Sequence, residues 1–393
     1  MVPPARRGRL ALSMALVAAV TWAAPVEAAP GDLDRTFGDG GRVVTNPTKW
    51  SDGVADMTIQ SNGRIVVVGR TIGRRYGMFG LARYRPDGRL DPTFGGDGLV
   101  RTNMAKREDS ATAVAIQPDG RIVAVGTANV QARWLFAIAR YDRDGTLDDT
   151  FHADGKVTTN AGDGTDSAGA VAIQPDGKIV VAGQSWTLSG WDGIDVVRYE
   201  TDGTMDPTFG TDGIATVDLT EGSDGAGDMA SGIAIQPDGK IVVAGDAGGS
   251  AEFTSGFGLA RFAEDGTLDV TFQGDGTVVT DVTRWDDSAS DLAIQPDGKI
   301  VAVGVAGYSW DTVATFALVR YDPDGTLDGS FGDNGKLRTR FPTIASDDPV
   351  GIVGAWATGV AIQPDGKIVL AGSAVRVLDG HLDGRFALAR YRG

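Results

Sequence analysis

Five aspartates, Asp52, Asp109, Asp166, Asp228 and Asp287, each stand seven residues before a recurring isoleucine, with Ala355 at the sixth equivalent position. Each precedes a short apolar run, so together they should ring one mouth of whatever channel those runs surround. Two readings are open. Each carboxylate can accept N–H bonds within its own turn, or the ring can attract a cation, calcium being the natural one. A second grouping, Asp379, His381 and Asp383, alternates along one segment and could share a metal or form a solvated acidic loop. The chain has only two His, His152 and His381, and no Cys. No G-x-S-x-G elbow is present, so hydrolase triads and zinc sites lack their parts, and no catalytic residue is assigned. The third grouping is aromatic. Trp50, Trp186, Trp191, Trp285, Trp310, Trp356 and Tyr308 are the candidate ligand-binding residues, with Trp134, Tyr76 and Phe253 beside them. Indoles pair a flat apolar area with an N–H donor, which suits a sugar ring or a partner protein's side chain.

The elements that must position these groups come from a repeat. The phrase I-Q-P-D-G-K-I-V-V-A-G recurs with its first Ile at Ile59, Ile116, Ile173, Ile235, Ile294 and Ile362, at spacings of 57, 57, 62, 59 and 68 residues. In the second copy, residues 113–117 and 121–126 are β-branched runs joined by Pro118-Asp119-Gly120, where Pro presets φ and Gly accepts a positive φ. Residues 136–141 form a third run and the more polar residues 156–159 a fourth. Nothing keeps a 3.6-residue period over ten residues, which excludes a helical solenoid. Four antiparallel strands per unit, six times over, predict an all-β fold: a six-bladed β-propeller of four-stranded antiparallel blades. The first strand of each unit should line the axis and the polar fourth lie outermost. The chain after residue 30 opens with a fourth strand (residues 42–45) and stops after a third. The N-terminal strand is therefore expected to join the last blade and close the ring.

Strand alternation puts the first–second and third–fourth turns on one uniform face and the remaining loops on the other. The candidate aromatics all fall in the variable loops of that second face. On the uniform side Arg83, Arg140, Arg198, Arg261, Arg320 and Arg390 recur with Asp34, Asp91, Asp148, Asp206, Asp269 and Asp328. The simplest reading is a clamp from each third strand to a loop, because buried charges persist when paired. The phenylalanines that follow (Phe37, Phe94, Phe151, Phe209, Phe272 and Phe331) read as packing wedges.

Residues 1–28 read as a secretory signal peptide. Arg6, Arg7 and Arg9 form a basic start, residues 10–23 an apolar stretch and Val26-Glu27-Ala28 a cleavage site. Cleavage near Ala28 would leave residues 29–393 as a single propeller domain, secreted to the cell surface, periplasm or medium. It removes three Arg and one Glu, taking the net charge from −16 to −18. An acidic surface argues against nucleic acid or anionic lipid as partner. No second apolar stretch reaches membrane-spanning length.

The phrases Ala115-Ile116-Gln117-Pro118-Asp119-Gly120, residues 136–141 and residues 147–155 resemble the bacterial delta-60 repeat of uncharacterised secreted proteins. The strand pair around Q-P-D-G is also similar to NHL-type propeller repeats. The resemblance implies a propeller outside the cell and no defined activity. The unit departs from the pattern at Ser61-Asn62, at Ile194-Asp195 and in the long segment 340–357. The sequence thus leads to a binding scaffold for a glycan or protein. A calcium-dependent propeller hydrolase or lyase of lactonase type, using the ring of aspartates, and a structural module without ligand are the alternatives.

Overall fold

The computed structural model describes residues 34–393 apart from 49–51, 74, 163, 188–189, 221–226, 249–254, 309–312, 342–353 and 379–380. The first blade comprises β1 (Gly53–Ile59), β2 (Ile65–Ile72), β3 (Gly77–Tyr84) and β4 (Leu99–Thr102), and the second β5 (Asp109–Ile116), β6 (Ile122–Val130), β7 (Arg133–Tyr141) and β8 (Lys156–Thr159). The third holds β9 (Asp166–Ile173), β10 (Ile179–Thr187), β11 (Gly190–Tyr199) and β12 (Ile214–Val217). The fourth holds β13 (Met229–Ile235), β14 (Ile241–Ala247), β15 (Gly256–Phe262) and β16 (Thr277–Thr280). The fifth holds β17 (Asp286–Ile294), β18 (Ile300–Tyr308), β19 (Thr315–Tyr321) and β20 (Lys336–Thr339), and the sixth β21 (Gly354–Ile362), β22 (Ile368–Leu378) and β23 (His381–Tyr391). Every blade is an antiparallel meander in chain order. The six first strands share one central channel, lined among others by Asp56, Thr112, Gly169, Ser231, Asp291 and Thr358.

A bulge shapes each first strand. In β5 the pairing with β6 skips Thr112, between Ala111 and Ala113, and the same slip recurs in the other five blades. The extra residue bends the strand around the axis. It also pushes a carbonyl at the facing strand: a Cβ on Gly126 would sit 2.0 Å from the Ser110 oxygen. That close approach explains why each I-V-V-A-G run ends in glycine.

Blades are joined by repeated clasps on the uniform face. Arg140 Nε donates to Asp148 at 2.7 Å, its guanidinium lies 4.5 Å over Phe151, and Nη1 donates to the Thr201 carbonyl of the next blade. Arg83, Arg198 and Arg261 repeat the full arrangement, and Arg320 repeats the pairing with Asp328 and the stacking on Phe331. Buried tyrosines add a second clasp: Tyr141, Tyr199 and Tyr321 donate to Thr102, Thr159 and Thr280 of the preceding blade at 2.7, 2.7 and 2.9 Å. Between neighbours lie five apolar clusters, one for each junction from the first blade to the sixth.

The closing strand expected from sequence is not seen. Among the described residues, 42–45 form no paired strand and the last blade has three strands. The segment is held on the other side, where Tyr84 donates to Thr45 at 2.8 Å and the Gly38 N–H to the Asp87 carbonyl at 2.7 Å, both Tyr84 and Asp87 belonging to the first blade.

Candidate binding face and central channel

The five aspartates that precede the repeats are taken up by backbone donors. Asp109 accepts the Met104 N–H at 2.8 Å, Asp166 the Ala161 N–H at 2.9 Å and Asp228 those of Leu219 and Gly248 at 2.6 and 2.8 Å. Asp287 accepts from Val282, Thr283 and Gly307, and Asp52 from Thr48 and Ile72. Asp52, Asp228 and Asp287 tie the loop entering their blade to the hairpin beyond, while the bonds of Asp109 and Asp166 fasten the entering loop itself, as an Asx motif does. Asp109, Asp166, Asp228 and Asp287 are buried, whereas Asp52 is half-buried. Burial raises Asp109 and Asp228 above the ordinary carboxylate range despite those bonds. Asp166 reaches about 6, through burial and the nearby charge of Asp195. Asp195 is itself buried and accepts from Thr216 Oγ1 at 2.6 Å. It stands in β11 where the other units carry Gly or Ala, a substitution visible in the sequence whose nearness to Asp166 only the fold reveals. Asp246 is a further, half-buried acid of this face, also pushed up to about 6 by burial with Asp286 and Asp228 nearby. Among the described residues no three His, Cys, Asp or Glu side chains come together as a metal site. His381 and Asp383 fall on β23, in register with Leu378 and Arg376, and Asp379 lies outside the described residues.

Part of the variable face, in the second, third and sixth blades, is built of long paired hairpins rather than loops. Strands β6 and β7 run on to Val130 and Arg133 and turn through Gln131 and Ala132, whose φ values of 51° and 69° belong to a tight hairpin that usually takes Asn-Gly. Two non-glycine residues there hold local strain, a feature that clusters at ligand-binding positions. Trp134 follows at once and is 37% exposed. In the next blade Trp186 of β10 stands in register with Trp191 of β11, and Trp186 is 43% exposed. Trp285 is half-buried with the Arg284 guanidinium 5.0 Å over its ring. Trp356, expected in a loop, belongs to β21 opposite Ser373 and is half-buried, because that first strand extends to Gly354. Tyr308 ends β18. Trp50 and Trp310 lie outside the described residues.

Two acids missed by sequence reading face the axis. Asp56 and Asp291 occupy the third position before the repeat Ile, where the other units have Ala113, Ala170, Gly232 and Gly359. The channel around them encloses about 290 Å³. Asp56 Oδ2 accepts the Val114 N–H of the next blade at 2.9 Å, and Asp291 Oδ2 that of Val360 at 2.9 Å. Burial pushes both upward, Asp291 to about 6 with the Asp56 charge adding to it. The only sequence signal was a charge inside an otherwise small, apolar run.

The family model described as "Domain of unknown function (DUF5122) beta-propeller" matches six stretches, residues 60–94, 117–151, 174–209, 236–272, 295–331 and 363–392. No curated protein matches the chain. Among solved structures, an α-L-arabinanase of Penicillium chrysogenum complexed with arabinobiose is similar with TM-score 0.49 and 10% identity, covering 86% of this chain and 92% of that one. The GH93 α-L-arabinofuranosidase of Fusarium graminearum gives 0.48 and 10%, covering 86% and 93%. A PL25 ulvan lyase gives 0.44 and 13%, covering 84% and 77%. No residue role is carried over from these structures.

Proposed function

This chain belongs to the DUF5122 β-propeller family, and on that footing we propose that it is an exported binding propeller that holds a glycan on the face of its long second–third strand hairpins. One observation carries the reading: indoles stand open to solvent at Trp134 and Trp186 on the face where the units differ, while the opposite face is spent on clasps between blades. Open indoles offer a stacking platform for the faces of sugar rings. Titration with neutral and acidic oligosaccharides, followed by Trp fluorescence, tests it. Trp134→Ala together with Trp186→Ala should weaken binding by about tenfold or more and leave the unfolding midpoint in place. Unchanged affinity in that variant would refute the assignment of the face.

A second reading rests on Asp56 and Asp291. Two carboxylates with raised proton affinity can serve as an acid–base pair, which would make the channel the site of a hydrolytic or lytic reaction. Turnover of a polysaccharide that is lost in Asp291→Asn and kept in Trp186→Ala would favour that reading over the first.

A further inference from the structure

The junction between the sixth blade and the first differs from the other five. It has no apolar cluster of its own among the described residues. Apolar side chains that other junctions bury or half-bury are open here: Val54 is 74% exposed, Ile59 62%, Leu388 67% and Val43 37%. The clasp residues are present on both sides but unjoined. Arg390, the equivalent of Arg140, is exposed; among the described residues it has no carboxylate partner, and no backbone bond at Arg390 matches those of Arg140 with Gly155 and Asp148. Lys367, whose counterparts Lys178, Lys240 and Lys299 reach the clasp carboxylate at 2.7, 2.9 and 3.0 Å, pairs with its neighbour Asp365 instead. Asp34 bonds Thr36 just as Asp148 bonds Thr150, leaving its second oxygen open.

The segment carrying Asp34 already sits against the first blade as a fourth strand should. Phe37 lies on Gly88 as Phe94 lies on Gly145, the Gly38 N–H reaches Asp87 as Gly95 reaches Asp144, and Thr45 takes the Tyr84 hydroxyl as Thr102 takes that of Tyr141. Half of a blade-to-blade joint is made, and the sixth blade carries the residues of the unmade half. We infer that the occupant of the open edge of β23 is this chain's own residues 34–45, which pair with it as the fourth strand of the last blade. Asp34 then bridges Arg390 and Lys367, and Arg390 covers Phe37. The register follows from Leu81 with Val100 and Ile138 with Val157 in the first and second blades, which places Val43 opposite Leu388 and Val44 opposite Ala387.

The chain has no cysteine, so paired thiols report the register directly. Directly opposed residues of antiparallel strands lie within disulfide reach. Val43→Cys with Leu388→Cys in the full chain should oxidise to an intramolecular disulfide in most molecules, seen as a shifted monomer on a non-reducing gel and a linked peptide by mass spectrometry. The out-of-register pair Val43→Cys with Ala389→Cys should not. Equal yields from the two pairs, or none from the matched one, would overturn the inference. Disulfide-linked dimers would also overturn it, since the strand would then come from a second copy. Charge reversal gives an independent reading: Asp34→Arg and Arg390→Asp should each lower the unfolding midpoint, and the double variant should recover part of that loss. Additive losses would count against the pairing.

Discussion

Replacing Asp291 by Asn should reverse its effect on stability with pH. The native carboxyl is held near 6, against an ordinary value of 3.8, by burial in the channel wall and the Asp56 charge. The folded protein therefore binds this proton more tightly than the unfolded chain between about pH 4 and 6, and stability falls as pH rises through that window. Two pKa units correspond to about 3 kcal/mol, absent below pH 4 and fully present above pH 6. Asn carries no charge to desolvate, but it keeps one acceptor where Asp291 uses two, for Val360 at 2.9 Å and Leu292 at 2.8 Å. The lost acceptor costs about 1 kcal/mol at any pH. Asp291→Asn should thus be more stable than the parent by about 2 kcal/mol at pH 8 and less stable by about 1 kcal/mol near pH 4. Urea unfolding of both proteins at pH 4, 6 and 8, followed by Trp fluorescence, measures the difference. The same shift at all three pH values would refute the assignment of a raised carboxyl.

The clasp carboxylates titrate in the opposite sense. Asp91 is drawn down to about 2 by Thr93 and the Arg83 and Arg64 charges against the pull of burial, and Asp206, Asp269 and Asp328 lie lower still. Their contribution is complete above about pH 4 and lost as pH falls through the folded values, so an unfolding transition is expected below pH 3 by circular dichroism. Arg198→Met removes one of the two cations on buried Asp206, with Lys178 still 2.7 Å away, and should cost about 1.5–3 kcal/mol in urea unfolding. Tyr199→Phe removes the bond to Thr159 alone and should cost about 1 kcal/mol in the same measurement. Gly126→Ala forces a methyl against the Ser110 carbonyl and should cost about 1–3 kcal/mol or more, read as a lowered thermal midpoint.

Six copies of one phrase made the blades legible, because apolar alternation and P-D-G turns act locally and repeat. The Arg–Asp–Phe clamp was legible for the same reason, although its reach to the Thr201 carbonyl was not, since a backbone acceptor leaves no mark in the sequence. The hairpins of the variable face read as loops because Gln131, Ala132 and the residues around Trp186 and Trp191 carry no strand signature; the pairing comes from the strands below them. Asp56 and Asp291 were hidden because each is a single departure inside a run that otherwise packs. The carboxylates before each repeat were legible as a set, but the donors that hold them come from loops with little in common.

The placement of the clasps has a consequence for how such a molecule can change. Arg, Asp, Phe and the Tyr–Thr pairs that fasten one blade to the next cluster towards the uniform face and the outer strands, away from the hairpin tips. Beyond Val130, which packs on the apolar cluster between the first two blades, the tip of a hairpin such as β6–β7 lies clear of these clasps. It can be lengthened, shortened or recoloured residue by residue without loosening the ring, much as a tool head can be exchanged on a fixed handle.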